Sequence, residues 1–257
     1  MKKAFTSLTF FCATLLFLSS ANAHEFIVKP VQFNVPVDHK LPFNVISCHA
    51  FMISEEAEAI NQVEVALIKG DKKTKLSLQK NDTLLTLDGT ADIKEAGTSI
   101  LVGHRHGITW TQTTTGWKQA SKKKCKGVIS SGKYEKFCKT LINAGKADNG
   151  YSQILGQQLE IVPISNPAKA IVGKEMSFQI LADGKPLSTK VYATYDGFSN
   201  RVNTYAYFTE TDDSGIAHVQ ITHAGTWMLR VEHIDDKATA DYDKHILRAV
   251  LVFSVTR

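Results

Sequence analysis

The sequence has little proline, few cysteines and no long apolar stretch after its first 23 residues. Its 257 residues include six Pro, sixteen Gly and four Cys, and the glycines follow no G-X-Y period, which excludes a collagen-like chain. A mean hydropathy of -0.12 without further apolar runs excludes a multi-pass membrane protein. The remaining composition, 43% hydrophobic and 21% charged, is typical of a globular protein with one or two cores.

Common signatures of enzymes and of nucleic-acid-binding proteins are also missing. The sequence contains no G-x-S-x-G nucleophile elbow, Walker loop, H-E-x-x-H helix, C-x-x-C motif or G-x-G-x-x-G fingerprint, so we expect no enzyme activity. Lysines cluster within residues 72–75 and 122–126. Because these clusters lack interleaved aromatic residues and a known nucleic-acid module, we expect no nucleic-acid partner and interpret them as solvated loops or edge strands.

The first 23 residues have the pattern of a secretory signal peptide. Lys2 and Lys3 precede an apolar stretch over residues 4–18, and Ala21 and Ala23 form a small-x-small cleavage site. We therefore predict a periplasmic protein whose mature chain begins at His24. A retained anchor is the alternative, although the apolar stretch is short for a membrane span.

Three cysteines remain after cleavage, and an oxidising compartment favours disulfides. Cys125 and Cys138 flank a turn-rich stretch, so we predict a local bridge between them. Cys48 would then be a buried free thiol or a soft metal ligand.

Alternation of apolar and polar residues predicts strands through most of the mature chain. The exception is a short helix near residues 133–144, where apolar residues recur at i, i+3, i+4, i+7 and i+8 before a glycine. The strand pattern restarts after residue 150, and about seven short strands follow at regular spacing. We therefore predict an all-β fold of two β-sandwich domains, immunoglobulin- or prealbumin-like, over residues 24–154 and 155–257, with the helix in the first.

Histidine is the residue type most able to supply a functional site in this sequence, and all nine histidines lie in the mature chain. Cleavage would give His24 a free α-amine beside its imidazole, a nitrogen pair that favours Cu(II) or Ni(II). His104 and His106 would share one face of a strand and could ligate a metal, or simply form a polar face. His49 follows Cys48 and precedes the apolar Ala50-Phe51-Met52, and in such a strand it is either a hydrogen-bonded core residue or a ligand. His233 ends a strand close to two aspartates, as a ligand or an exposed titrating group.

Several short motifs, in order, resemble the nickel-transport-associated periplasmic proteins, a family formerly known as a domain of unknown function. The resemblance covers nearly the whole mature chain. The motifs are the Ala-x-Ala leader end, His24-Glu25-Phe26, Gly116-Trp117-Lys118, Tyr134-Glu135-Lys136-Phe137, Leu159-Glu160-Ile161-Val162-Pro163, Asp183-Gly184-Lys185-Pro186-Leu187, Thr209-Glu210-Thr211-Asp212, and the segment from Gly225-Thr226-Trp227 to Glu232-His233.

The resemblance implies a periplasmic protein of two β-rich domains that binds a divalent transition metal, nickel or cobalt, and serves a membrane metal transporter. It implies metal ligands at His24 and His233, and further at His49, His104 and His106. The three cysteines and the His-x-His pair depart from the family pattern and leave copper open as the metal. The alternatives are a secreted redox enzyme with a copper brace at His24 and a metal-independent envelope scaffold or adhesion module.

Overall fold

The structure, a computed structural model, describes residues 24–256. The predicted signal peptide, residues 1–23, lies outside the described residues. Regular structure in the described chain is β-strand apart from four 3₁₀ turns, which are Ile60–Gln62, Lys122–Lys124, Asn149–Ser152 and Pro167–Lys169. Within residues 24–256, no helix has the length and apolar character needed to cross a bilayer.

The described strands are numbered in chain order. Those before residue 155 are β1 (Glu25–Pro30), β2 (Asn34–Val35), β3 (His39–Cys48), β4 (Val63–Lys69), β5 (Lys72–Leu76), β6 (Gln79–Asn81), β7 (Thr86–Ile93), β8 (Gly97–Thr113), β9 (Gly116–Lys118) and β10 (Val128–Ala144). Those after it are β11 (Leu159–Pro163), β12 (Glu175–Ala182), β13 (Lys185–Pro186), β14 (Lys190–Tyr195), β15 (Tyr207–Glu210), β16 (Ile216–Gln220), β17 (Gly225–Asp235) and β18 (Lys244–Val255).

These strands form three sheets. The front sheet has the order β1-β3-β7-β6, and the back sheet has the order β11-β12-β13 with β16 beside β12. The central sheet has the order β15-β14-β17-β18-β10-β8-β4-β5, with β2 beside β10 and β9 beside β8. The central sheet draws strands from both predicted domains, because β10 and β18 pair in parallel at its middle. The domain boundary at residues 154–155 stays a prediction.

The central sheet is covered on both faces. Cys138 and Ile142 of β10 lie in a core with front-sheet residues. Phe137 and Leu141, whose side chains point the other way, lie in a second core with Phe178 of the back sheet. The predicted all-β fold of packed sheets is therefore confirmed.

The predicted helix near residues 133–144 is wrong, because this segment is the last twelve residues of the 17-residue strand β10. The residues that suggested a helix, among them Phe137, Cys138, Leu141 and Ile142, are buried on alternate faces of the strand. A strand with both faces buried reads as a nearly continuous apolar run, and such a run also satisfies the spacing of a helix.

The first lysine cluster has the position that the sequence suggested. Lys72, Lys73 and Lys75 lie on β5, which forms one edge of the central sheet. The second cluster includes the 3₁₀ turn Lys122–Lys124, which contains no buried residue. Both clusters are solvated.

Candidate metal centre

The pairing of β1 with β3 brings two predicted ligands together. The antiparallel ladder places Glu25 opposite Cys48, so His24 and His49, one residue beyond this pair, lie opposite each other. Their imidazole ring centroids are 3.9 Å apart. The side chains are mostly covered but remain accessible, with exposed fractions of 22% for His24 and 17% for His49.

The loop after β3 brings Glu55 to the same place. Met52 has a positive φ of 70°, and the chain returns so that the N–H of Glu55 donates to the carbonyl oxygen of Ser47 at 2.9 Å. The backbone N–H of His49 then donates to Glu55 Oε1 at 2.7 Å, and Oε2 lies 2.8 Å from His49 Nδ1. Glu55 is therefore fixed against His49 by both of its carboxylate oxygens.

His24 contacts the two acids of this loop with both ring nitrogens. Its Nε2 lies 3.3 Å from Glu55 Oε2, and its Nδ1 lies 3.0 Å from Glu56 Oε1. His24, His49 and Glu55 each offer one ligand atom, and these atoms all lie within 4.8 Å of one another. Two imidazoles and a carboxylate suit a divalent first-row transition metal. Three ligands would also leave coordination positions for further donors.

The ionisation states at this cluster favour metal binding. Burial lowers the pKa of His24, and this outweighs the opposing effect of Glu56. Burial alone would raise the pKa of Glu55, but hydrogen bonds from the ring and backbone of His49 outweigh it and hold the pKa at about 2. At neutral pH the cluster therefore offers a neutral imidazole at His24 and an ionised carboxylate, which are the forms that bind metals.

A partly buried ion-pair network anchors the strand that carries His24. Glu25 Oε1 accepts a hydrogen bond from Arg230 Nε at 2.9 Å and lies 3.8 Å from Arg248 NH1. Glu232 bridges the same arginines at 3.0 and 2.7 Å. The network ties the first residue of β1 to β17 and β18 of the central sheet, so the backbone beside His24 is held in place.

Most of the chain matches a single protein family. Residues 21–235 match the family described as "Domain of unknown function (DUF4198)". The chain belongs to this family. No curated protein matches it.

Several solved structures align with this DUF4198 chain at low identity. They include the D0-D1 domain of intimin (10% identity, covering 91% of this chain and 99% of that chain, TM-score 0.23). The ectodomain of mouse nectin-like molecule 4 aligns at 11% identity over 90% of this chain and 65% of that chain, with a TM-score of 0.23. The Yersinia pseudotuberculosis adhesin InvE aligns at 12% identity over 90% and 58%, also with a TM-score of 0.23.

The other predicted ligands lie elsewhere. His104 and His106 are neighbours, with ring centroids 4.3 Å apart, but His104 stacks on Phe137 in contact with the back-sheet core. Its Nε2 lies 2.7 Å from Glu135 Oε1, while His245 Nε2 lies 2.9 Å from Glu135 Oε2. This pair therefore forms a second polar cluster on the face of the central sheet opposite the front sheet.

His233 is not brought to His24. Along β17, Arg230 and Glu232 point toward Glu25, whereas His233 shares the opposite face with the buried Val231. The ligand pair His24 and His233 that the family resemblance implied is therefore not formed. Among the described residues, the residues that converge with His24 are His49 and Glu55. The sequence analysis did not single out Glu55.

The predicted disulfide is not formed either. Cys48, Cys125 and Cys138 are all free thiols. Cys138 is wholly buried, where its Sγ accepts a hydrogen bond from the N–H of Val28 at 3.3 Å, while Cys125 lies in the partly exposed loop after a 3₁₀ turn. Cys48 is also buried, and burial raises the pKa of its thiol to about 12; it is not one of the three residues that converge at the cluster.

Proposed function

We propose that this protein captures a divalent transition metal in the periplasm and presents it to a membrane metal transporter, without being an enzyme. The observation that carries the proposal is the convergence of His24, His49 and Glu55 within 4.8 Å. The metal is nickel or cobalt, with copper as the alternative that the donor set also accepts.

Processing of the leader would complete this site. Cleavage after Ala23 leaves an α-amine on His24, and this amine with the adjoining imidazole can close a chelate ring on one metal. His49 and Glu55 then supply a second imidazole and a carboxylate. Nitrogen-rich sites bind Ni(II) and Cu(II) more tightly than earlier first-row metals. The proposal therefore predicts a site that forms only when His24 is the first residue.

The test is calorimetric titration of the secreted chain with Ni(II), Co(II), Cu(II) and Zn(II), after its start at His24 has been confirmed by mass. A variant with one extra residue before His24 should lose tight binding, because its α-amine is displaced. His49→Ala and Glu55→Gln should each weaken binding by more than the roughly 10–100-fold that the loss of an outer-shell partner costs.

His233→Ala is the matched control, since it removes an imidazole of the same chain from outside the cluster. Its affinity should equal that of the unmodified chain. Equal losses in His233→Ala and His49→Ala would contradict the assignment of the site. No binding of any of the four metals would contradict metal capture and favour a scaffold or adhesion module.

A copper redox enzyme is the second candidate, and the 3.9 Å approach of the His24 and His49 rings favours it. With the α-amine, these imidazoles would give copper three nitrogen donors like those of a copper brace. Peroxide production by the copper-loaded chain that depends on added reductant would support this candidate. Absence of peroxide would leave metal capture as the function.

A further inference from the structure

A cavity of about 450 Å³ opens directly beside the proposed metal site. His24 of the metal cluster and its partner Glu56 line it, and so do the apolar side chains of Ile108, Trp110 and Trp117. The two indoles are partly exposed, at 38% and 40%, although tryptophan side chains are usually largely buried. The volume and the largely apolar wall are typical of small-molecule sites.

Two cations and two carboxylates line the cavity, since Glu56 and Glu58 lie there together with Arg105 and Lys136. Arg105 and Lys136 both line the cavity and are 4% and 5% exposed. One carboxylate serves them both, since Glu58 Oε1 lies 3.0 Å from Lys136 Nζ while Oε2 lies 3.9 Å from Arg105 Nε. Glu58 therefore lies closer to Lys136 than to Arg105.

Arg105 also has an unused hydrogen-bond donor where it lines the cavity. Its NH1 donates to the carbonyl oxygens of His106 and Tyr134 at 3.0 and 2.8 Å, but its buried Nε has no hydrogen-bond partner among the described residues. Buried donors in native proteins are almost always satisfied. A ligand oxygen beside Arg105 would satisfy this one.

We propose that the cavity binds a small planar aromatic acid that also chelates the metal, so that the protein takes up the metal as a complex with this acid. The inference rests on the proposed metal site, because His24 borders both. The ring would pack against Trp110 and Trp117, the anionic oxygen would accept a hydrogen bond from Arg105 Nε, and a donor atom would reach a coordination position left open by the protein ligands.

The test compares two isomeric acids on the nickel-loaded secreted chain. Picolinate (pyridine-2-carboxylate) chelates through its ring nitrogen and carboxylate, whereas isonicotinate (pyridine-4-carboxylate) has the same atoms but cannot chelate. With nickel and protein equimolar, ultrafiltration should retain picolinate at one per nickel, with an affinity at least about tenfold above that of isonicotinate.

Trp117→Ala identifies the cavity as the place of binding. Trp117 lies on the exposed strand β9, so the variant should fold and bind nickel within about twofold of the unmodified chain. It should lose picolinate affinity by about tenfold, since the ligand ring loses one of its two aromatic contacts. Phe208→Ala is the matched control, because Phe208 is an exposed aromatic residue on β15 at the far edge of the central sheet.

The outcomes separate the two proposals. If nickel itself does not bind, the proposed function fails and this inference fails with it. If nickel binds but the two acids bind equally, or if picolinate removes nickel into the filtrate, only this inference is overturned. Equal picolinate losses in Trp117→Ala and Phe208→Ala, or no loss in Trp117→Ala, would overturn the assignment to the cavity.

Discussion

At the scale of single residues, three carboxylates are kept ionised by hydrogen-bond donors. Burial alone would raise the pKa values of Glu55, Glu135 and Asp148, but the donors outweigh it and each pKa is about 2. Imidazoles are among the donors at Glu55 and Glu135, and backbone N–H groups donate at Asp148. Each carboxylate therefore stabilises the folded state only while it is ionised.

Asp148 gives the simplest test of this effect. It accepts hydrogen bonds from the N–H groups of Thr98 and Gly150, both at 2.9 Å, and from Lys69 Nζ at 3.2 Å. The folded pKa of about 2 lies below the unfolded value of about 3.9, so the stabilisation is present above about pH 4 and is lost as pH falls toward 2. Asp148→Asn should lower the free energy of unfolding by about 1 kcal/mol at pH 7, since the carboxylate is half exposed.

Urea denaturation of the unmodified chain and of Asp148→Asn, each at pH 7 and pH 3, measures this difference in the free energy of unfolding. The gap between them should shrink at pH 3. Exposed Asp71→Asn is the control, with no gap expected at either pH. A gap for Asp148→Asn that is independent of pH would show that the loss comes from packing and not from charge.

The candidate site was only partly predictable from its residues. His24 and His49 could be chosen as ligands from residue type and position. Glu55 could not, because its segment contains three acids among five residues and reads as a solvated loop until the turn at Met52 is known. The register of β1 on β3 places Glu25 opposite Cys48. Had this register been known, the proximity of the two histidines could have been predicted.

At the scale of secondary structure, the lysines of β10 explain why this strand resembles a helix. Lys133, Lys136 and Lys139 recur every three residues, like the polar stripe of an amphipathic helix. In the structure they point to both faces of a strand, and each is paired with a carboxylate, as shown by the contacts Lys133–Glu135, Lys136–Glu58 and Lys139–Glu160. The sequence shows the lysines but not their partners, which lie as far as 78 positions away.

The pair Lys139 and Glu160 joins β10 to β11 inside the protein and is the deepest of these contacts. Lys139 is 1% exposed and also donates to the carbonyl oxygen of Gln153 at 2.9 Å, while Glu160 accepts from the backbone N–H of Leu155 at 2.7 Å. Lys139→Met should lower the free energy of unfolding by about 3–5 kcal/mol, because it leaves a buried carboxylate without its cation. Urea denaturation measures the loss.

The double variant Lys139→Met with Glu160→Gln, measured beside Glu160→Gln alone, tests whether the loss comes from the unpaired charge. Glutamine keeps an oxygen that can accept from the backbone but carries no charge, so the double variant should be more stable than Lys139→Met alone. If it is less stable by the sum of the two single losses, the pair is not coupled and the cost comes from side-chain packing.

At the scale of the whole molecule, the parallel pairing of β10 with β18 joins the two halves of the chain. Residues near 132 pair with residues near 244, and an alternating pattern within either strand carries no information about so distant a partner. The sequence therefore predicted the all-β class and a restart of the pattern after residue 150, but not a sheet common to both halves.

A common sheet predicts a single cooperative unfolding transition. Trp110 and Trp117 lie in the first half, and the fully buried Trp227 lies in the second. Urea unfolding of Trp227→Phe, and separately of Trp110→Phe with Trp117→Phe, should give a fluorescence midpoint that coincides with the far-ultraviolet circular dichroism midpoint of the same variant. Separate midpoints in either variant would indicate halves that unfold independently.

The edge strands of the central sheet also disfavour edge-to-edge pairing between two copies of this chain. One edge is β15, which has four residues, and the other is β5, which has lysines at three of its five positions. If two copies aligned along β5, Lys72, Lys73 and Lys75 of each would face the same charges on the other, and the repulsion would oppose new backbone pairing. The broad sheet at the centre of this protein is thus protected from extending into a fibril.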